Sequence, residues 1–239
     1  MGRGFVLSCA ASLAALMLSA CGDDTPTYRY RMTVEVETPE GLKTGSSVIE
    51  VSTDVASEYT IPTPGKVTNR VRGEAAAVDL GERGVLFALL RSESEADWAG
   101  RVMFLLAPAG SLDGDEFLGR FANMLDMTRP IDLPATFRDV GHLKDRPARP
   151  MLVTFGDLAD PTTVETVDPD NLAATFGDGV SLRRITVQMT DDPVTSGIGQ
   201  RLGWLSEYPE PSLKPDHGPR DFSLAATLHH GAFRREAQQ

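Results

Sequence analysis

Tyr28-Arg29-Tyr30-Arg31-Met32-Thr33-Val34-Glu35-Val36-Glu37 decides the fold class of this chain. Tyr28, Tyr30, Met32, Val34 and Val36 alternate with Arg29, Arg31, Thr33, Glu35 and Glu37. Successive side chains on a strand point to opposite faces, so this period of two predicts a strand with one buried and one solvated side. Pro39-Glu40-Gly41 reads as a turn. Ser47, Ile49 and Val51 then resume the alternation, which places a second strand over residues 46–53 after a loop over 38–45. The two form an expected antiparallel pair that opens a β-sandwich or curved sheet.

The pattern continues outward from that pair. Residues 58–67 carry Pro62, Pro64 and Gly65 and read as a loop. Strands are expected over 71–80 and 84–91, joined by Gly81-Glu82-Arg83-Gly84. The unbroken run Val85-Leu86-Phe87-Ala88-Leu89-Leu90 suits a strand covered on both faces. The apolar segment 98–107 fits a strand or a short helix. A helix is expected over 113–127, with Phe117, Phe121, Met124 and Leu125 on one side and Asp113, Asp115 and Glu116 at its positive end. Four prolines make 128–150 a loop or a joint between subdomains. Further expectations are a strand over 151–155, a helix capped by Asp168 with Pro169 at its first position, and a strand over 182–190. Ile198, Leu202 and Leu205 suggest a short helix. The expected class is a β-rich α+β fold, an antiparallel sheet or sandwich-like core with a few short helices.

Upstream, Leu18-Ser19-Ala20-Cys21 closes an apolar run that begins at Phe5 and follows Arg3. The segment resembles the signal of bacterial lipoproteins, in which a lipobox cysteine is lipidated and the chain is cut just before it. The resemblance implies a signal peptide over 1–20 and a lipidated tether over 21–27. It also implies a globular domain over 28–207 and a proline-rich segment with a C-terminal tail over 208–239. Cys21 would carry a diacylglyceryl thioether and an acylated, palmitate-type amino group; two or more chains hold a protein stably at a membrane. Gly22, where an aspartate commonly retains such proteins at the inner membrane, implies transfer to the outer membrane, facing the periplasm. Tyr30 to Gly41 and Val167 to Ala173 resemble segments of uncharacterised alphaproteobacterial proteins, which implies no activity.

Composition narrows the chemistry. The two cysteines are Cys9, within the expected signal, and Cys21, consumed by lipid. The expected mature chain, about 219 residues, therefore has no intramolecular disulfide, thiol nucleophile, iron–sulfur centre or thiolate zinc site. A formal net charge of -11 argues against a nucleic-acid partner. His142, His217, His229 and His230 show no helical metal-ligand spacing, so no metal and no cofactor are expected. The oxygen-rich stretch 157–170, with Asp157, Asp160, Thr162, Thr163, Glu165, Asp168 and Asp170, is the place a weak calcium site would occupy. No Gly-x-Ser-x-Gly, Ser-x-x-Lys or phosphate loop occurs, so no catalytic residue is assigned.

The leading expectation is a non-enzymatic binding or envelope-interaction module. It is held to the membrane through lipid on Cys21, with an envelope protein as a possible partner. An envelope-associated hydrolase with a distributed active site is the alternative. The anchor is checked by cell fractionation of Cys21→Ala: the variant should leave the membrane fraction and change electrophoretic mobility, and unchanged behaviour refutes lipidation.

Overall fold

A computed structural model describes residues 27–55, 67–137, 145–205 and 212–236. Strand β1 (Tyr28–Thr38) follows its alternation throughout: every second residue is buried and the intervening ones are half-exposed. It runs antiparallel to β2 (Gly41–Val55), with Thr38 opposite Gly41, so Pro39 and Glu40 alone form the turn. Thr38 Oγ1 closes that turn by donating to Gly41 O at 2.7 Å. This hairpin is tighter than the loop expected over 38–45. The reason the strand was invisible there is that its inward positions at this end are Lys43, opposite Val36, and Gly45, opposite Val34, with Ser47, opposite Met32, next. At 45 and 47 small residues stand where apolar ones would have shown the period.

They are small because another strand crosses them. β3 (Val67–Glu74) pairs with β2, and after the single residue Ala75 the chain continues as β4 (Ala76–Asp79) in a different sheet. A strand that bends from one sheet into another makes the corner of a packed pair of sheets. A Cβ on Gly45 would lie 2.1 Å from Ala77 O and 2.6 Å from Ala77 C, so β2 and β4 approach as only glycine allows. Gly73, just before the corner, has φ +150, a conformation that favours glycine. The expected single strand over 71–80 is thus two strands joined by a bend.

β5 (Val85–Ala88) pairs with β4, β7 (Leu152–Phe155) with β5, and β8 (Val164–Thr166) with β7. The four make the second sheet, ordered β4-β5-β7-β8. The first is ordered β10-β3-β2-β1-β9-β6, where β6 is Ile131–Asp132, β9 Ser181–Met189 and β10 Arg234–Arg235. The fold is therefore β-rich α+β with two antiparallel sheets, as the alternation predicted.

The main core lies under the first sheet. Tyr30, Met32, Val34, Val36 and Ile49 pack there with Val78, Leu86, Trp98, Met103 and Met124. Tyr30 donates to Ala99 O at 2.9 Å and Trp98 Nε1 to Ala148 O at 2.8 Å, so both large side chains bury without losing a polar bond. A second core covers the opposite face of the second sheet with Phe87, Phe155, Leu202, Leu213, Leu228 and Phe233. The run 85–90 is accordingly buried on both sides. Leu213, Ala225, Leu228, Ala232 and Phe233 bring the C-terminal part of the chain into this core.

Among the described residues, four α-helices accompany the sheets. The ambiguous segment 98–107 is helix α1 (Trp98–Leu106). Helix α2 (Glu116–Leu125) starts three residues later than expected: Asp115 is the cap, accepting from Leu118 N at 3.0 Å. Asp113 and Gly114 instead form a turn at positive φ. Helix α3 (Ala173–Phe176) is also shorter than expected, since Asp168 bonds Asp170 N in a turn and Pro169 stays outside the helix. Helix α4 (Leu224–Thr227) packs near β8.

The outer face of the first sheet carries charge. Arg29 pairs with Glu50 at 2.7 Å, Arg31 with Asp192, and a β-bulge beside Val36 lets Arg183 and Arg184 both reach Glu35, at 3.5 and 2.7 Å. Surface pairs are worth about 0–1 kcal/mol each, whereas each buried Val, Met or Ile on the inner face contributes about 1.5–3 kcal/mol. Burial decides the register.

The corner gives a direct test. Gly45→Ala should lower the stability by at least about 1–3 kcal/mol through overpacking against backbone, seen as a reduced urea midpoint. An unchanged midpoint would mean the sheets do not meet there.

Candidate functional site

A group of four aromatic rings gathers where α1 and α2 pack beside the start of β1. Phe104 on α1 and Phe117 on α2 have centroids 5.1 Å apart; Phe117 stacks on Phe121 at 6.2 Å; Phe121 meets Tyr28 edge-on at 6.0 Å. These four rings wall a hollow of about 250 Å³ whose remaining lining is Thr53, Asn69, Gly100 and Arg101. The helical period of α2 supplies the geometry, because Phe117 and Phe121 are four residues apart and share one side. Gly100 brings α1 onto β3: a Cβ there would stand 2.8 Å from the Asn69 Cβ.

Polar groups sit at the edges. Thr53 donates to Asn69 Oδ1 at 3.0 Å on the strand side. Arg101 is tied to Glu95 at 2.7 Å. Phe104 and Phe117 also line a recess shared with Glu116, Arg120, Ser111 and Gly110, so the hollow and this recess adjoin. The Arg120 guanidinium lies 5.5 Å from the Phe104 ring centroid, within cation–π range, and its Nε donates to Ala107 O at 3.1 Å. On the other side of Tyr28, an open cleft is lined by Thr27, Leu125, Met189 and Asp191. The three depressions therefore follow α2 from its first turn to its last.

Burial pushes the Tyr28 phenol well above its ordinary range, and the same cause acts more strongly on Tyr30. Tyr28 consequently presents a neutral ring to the hollow at physiological pH.

The residues weighed from sequence are dispersed. Cys21 and His142 lie outside the described residues. His217 is exposed, with Nδ1 3.2 Å from Gly218 O. His229 precedes a 3-10 turn, and the His230 ring packs 5.2 Å from Trp204. In the stretch 157–170 the carboxylates close local turns: Asp157 accepts from Ala159 N at 2.9 Å and Asp160 from Thr162 N and Oγ1 at 2.9 and 2.7 Å. The Thr162 bonds hold the Asp160 carboxyl below its usual range. Among the described residues, no three His, Cys, Asp or Glu side chains converge as metal ligands.

The glycine-rich stretch Thr195 to Gly199 latches the sheet corner. Val48 N donates to Thr195 Oγ1 at 2.8 Å, and Thr195 N to Val48 O at 3.1 Å. Ile198 N donates to the buried Glu74 carboxylate at 2.9 Å. Those contacts satisfy backbone groups of β2 beyond the end of its pairing with β3.

The hollow was not assigned from sequence, although two of its rings were. Phe117 and Phe121 were visible as one side of a helix; their apposition to Tyr28 and Phe104 needed the tertiary fold. No family model matches this chain, and neither a curated protein nor a solved structure shows significant similarity to it.

The tyrosines generate a pH prediction. A phenol whose folded pKa is raised contributes stability that is complete below its unfolded value, about 10, and is lost as pH rises above it. Thermal midpoints should therefore fall between about pH 9 and about pH 11.5, and Tyr28→Phe should make that fall shallower. An equal slope in the variant would show that Tyr28 ionises freely.

Proposed function

We propose that the protein is a membrane-anchored periplasmic lipoprotein that works as a non-enzymatic binding module. Lipid on Cys21 holds it to the outer membrane, and the aromatic hollow receives an apolar envelope component. The observation that carries the reading is the hollow itself, four rings around about 250 Å³. Pockets built mainly of aromatic and apolar side chains, with few polar groups at their edges, are the usual form of small-molecule sites.

The position of the hollow supports the anchor. Tyr28 is both a wall of the hollow and the first residue of β1. Five residues lie between Cys21 and Thr27, a reach of at most about 22 Å. A domain held on so short a lead keeps the hollow near the lipid surface, where apolar ligands concentrate. Among the described residues, no helix is long and apolar enough to cross a membrane.

The test uses the uncharged fluorescent probe N-phenyl-1-naphthylamine with the purified full chain. Saturable binding near one site per chain is expected, weakened about tenfold by Phe104→Ala or Phe117→Ala, since each removes ring contact worth more than about 1.4 kcal/mol. Binding that is absent, or unaltered in both folded variants, refutes the hollow as the site.

A further inference from the structure

We infer that the occupant of the hollow is the single acyl chain of a free fatty acid, its carboxylate held at Arg120. This deepens the binding-module reading and rests on it. Three observations lead there.

The first is capacity. Pockets for drug-sized ligands hold about 300–1,000 Å³, and this hollow holds about 250 Å³. It admits part of one hydrocarbon chain and is too small for the paired chains of a diacyl lipid. The second is shape. Phe104 and Phe117 line both the hollow and the adjoining recess of Ser111, Glu116 and Arg120, so the two depressions lie side by side along α2. A flexible chain follows such a path with little lost contact.

The third is charge. Among the described residues, Arg120 makes one hydrogen bond within the protein, from Nε to Ala107 O. Nη1 and Nη2 remain as donors in the recess, and the guanidinium lies 5.5 Å from the ring centroid of Phe104, a residue that lines both recess and hollow. A guanidinium with two adjacent donors matches a carboxylate. Arg101, the other cation at the hollow, already holds Glu95. Glu116 shares the recess and repels an anion, so the carboxylate is expected at Arg120 away from the Glu116 carboxylate.

Isothermal titration of the full chain with dodecanoate, dodecanol and dodecyltrimethylammonium tests the assignment. Dodecanoate should bind one per chain and about tenfold or more tightly than dodecanol, the scale of a charge-assisted hydrogen bond. The trimethylammonium compound should bind no better than dodecanol. Arg120→Gln should remove the advantage of dodecanoate and leave dodecanol unchanged, and Arg120→Lys should restore part of it; thermal midpoints confirm that both variants fold. Equal binding of dodecanoate and dodecanol, insensitive to Arg120→Gln, overturns the carboxylate assignment while the hollow stands as a binding site. Capture of diacylphosphatidylglycerol vesicles without dodecanoate binding overturns the single-chain ligand in favour of the membrane surface. No saturable binding of any of these compounds, together with no binding of the neutral probe, overturns the binding reading as well.

Discussion

Burial of one face of β1 is the constraint on which the rest of the structure depends. Tyr28, Tyr30, Met32, Val34 and Val36 are each at most 6% exposed. A shift of one residue would send all five to the charged side and bring Arg29, Arg31 and Glu35 into the core, so register is tightly specified. β1 is also paired on both sides, with β2 and β9. The sheet, the helices beneath it and the second sheet all pack against the surface that this strand sets.

The corner at Ala75 turns that one buried face into a two-sheet fold. The bend leaves backbone groups that neither ladder can pair, and the chain satisfies them from distant segments. Ser47 Oγ donates to Glu74 O at 2.6 Å, Ala75 N to Phe233 O at 2.8 Å, and Thr195 pairs with Val48 on both backbone groups. Glycine at 45 and a small residue at 47 make room for the crossing. The same bend allows β5 to be covered on both faces, since it places the second sheet between the two cores.

The hollow is a by-product of how α1 and α2 meet one end of strands β1, β2 and β3. Gly100 lets α1 approach Asn69 closely, while α2 projects Phe117 and Phe121 toward Phe104 and Tyr28. The rings cover one another but do not fill the space between helix and strand. Apolar walls with Arg120 at one end give the proposed ligand its polarity: hydrocarbon inside, anion outside. The proposed anchor adds proximity to lipid without adding a contact.

Some of this was legible without coordinates. The alternation of β1 and β9, the two-sided burial of 85–90 and the aromatic side of α2 are local patterns, because each depends only on which residues face one way. Signals failed where a neighbour replaced the side chain that would have carried them. Gly45 hid the first third of β2, residues 41–45, since β4 fills its space; 98–107 stayed ambiguous, since burial nearly all round erases the helical period. Capping chemistry also reads the same whether or not a helix follows, which is why Asp168 suggested a longer α3.

By itself, the sequence determined the β-rich α+β class, the inward face of the central strand and the absence of cysteine chemistry beyond Cys9 and Cys21. Those follow from residue type and short-range period. Only the tertiary structure decided where β3 leaves its sheet, which loop residues close the corner, and that Tyr28, Phe104, Phe117 and Phe121 share one hollow. These depend on contacts between residues up to 158 positions apart, as between Ala75 and Phe233, and a sequence records such contacts only through the sizes of the side chains that make room for them.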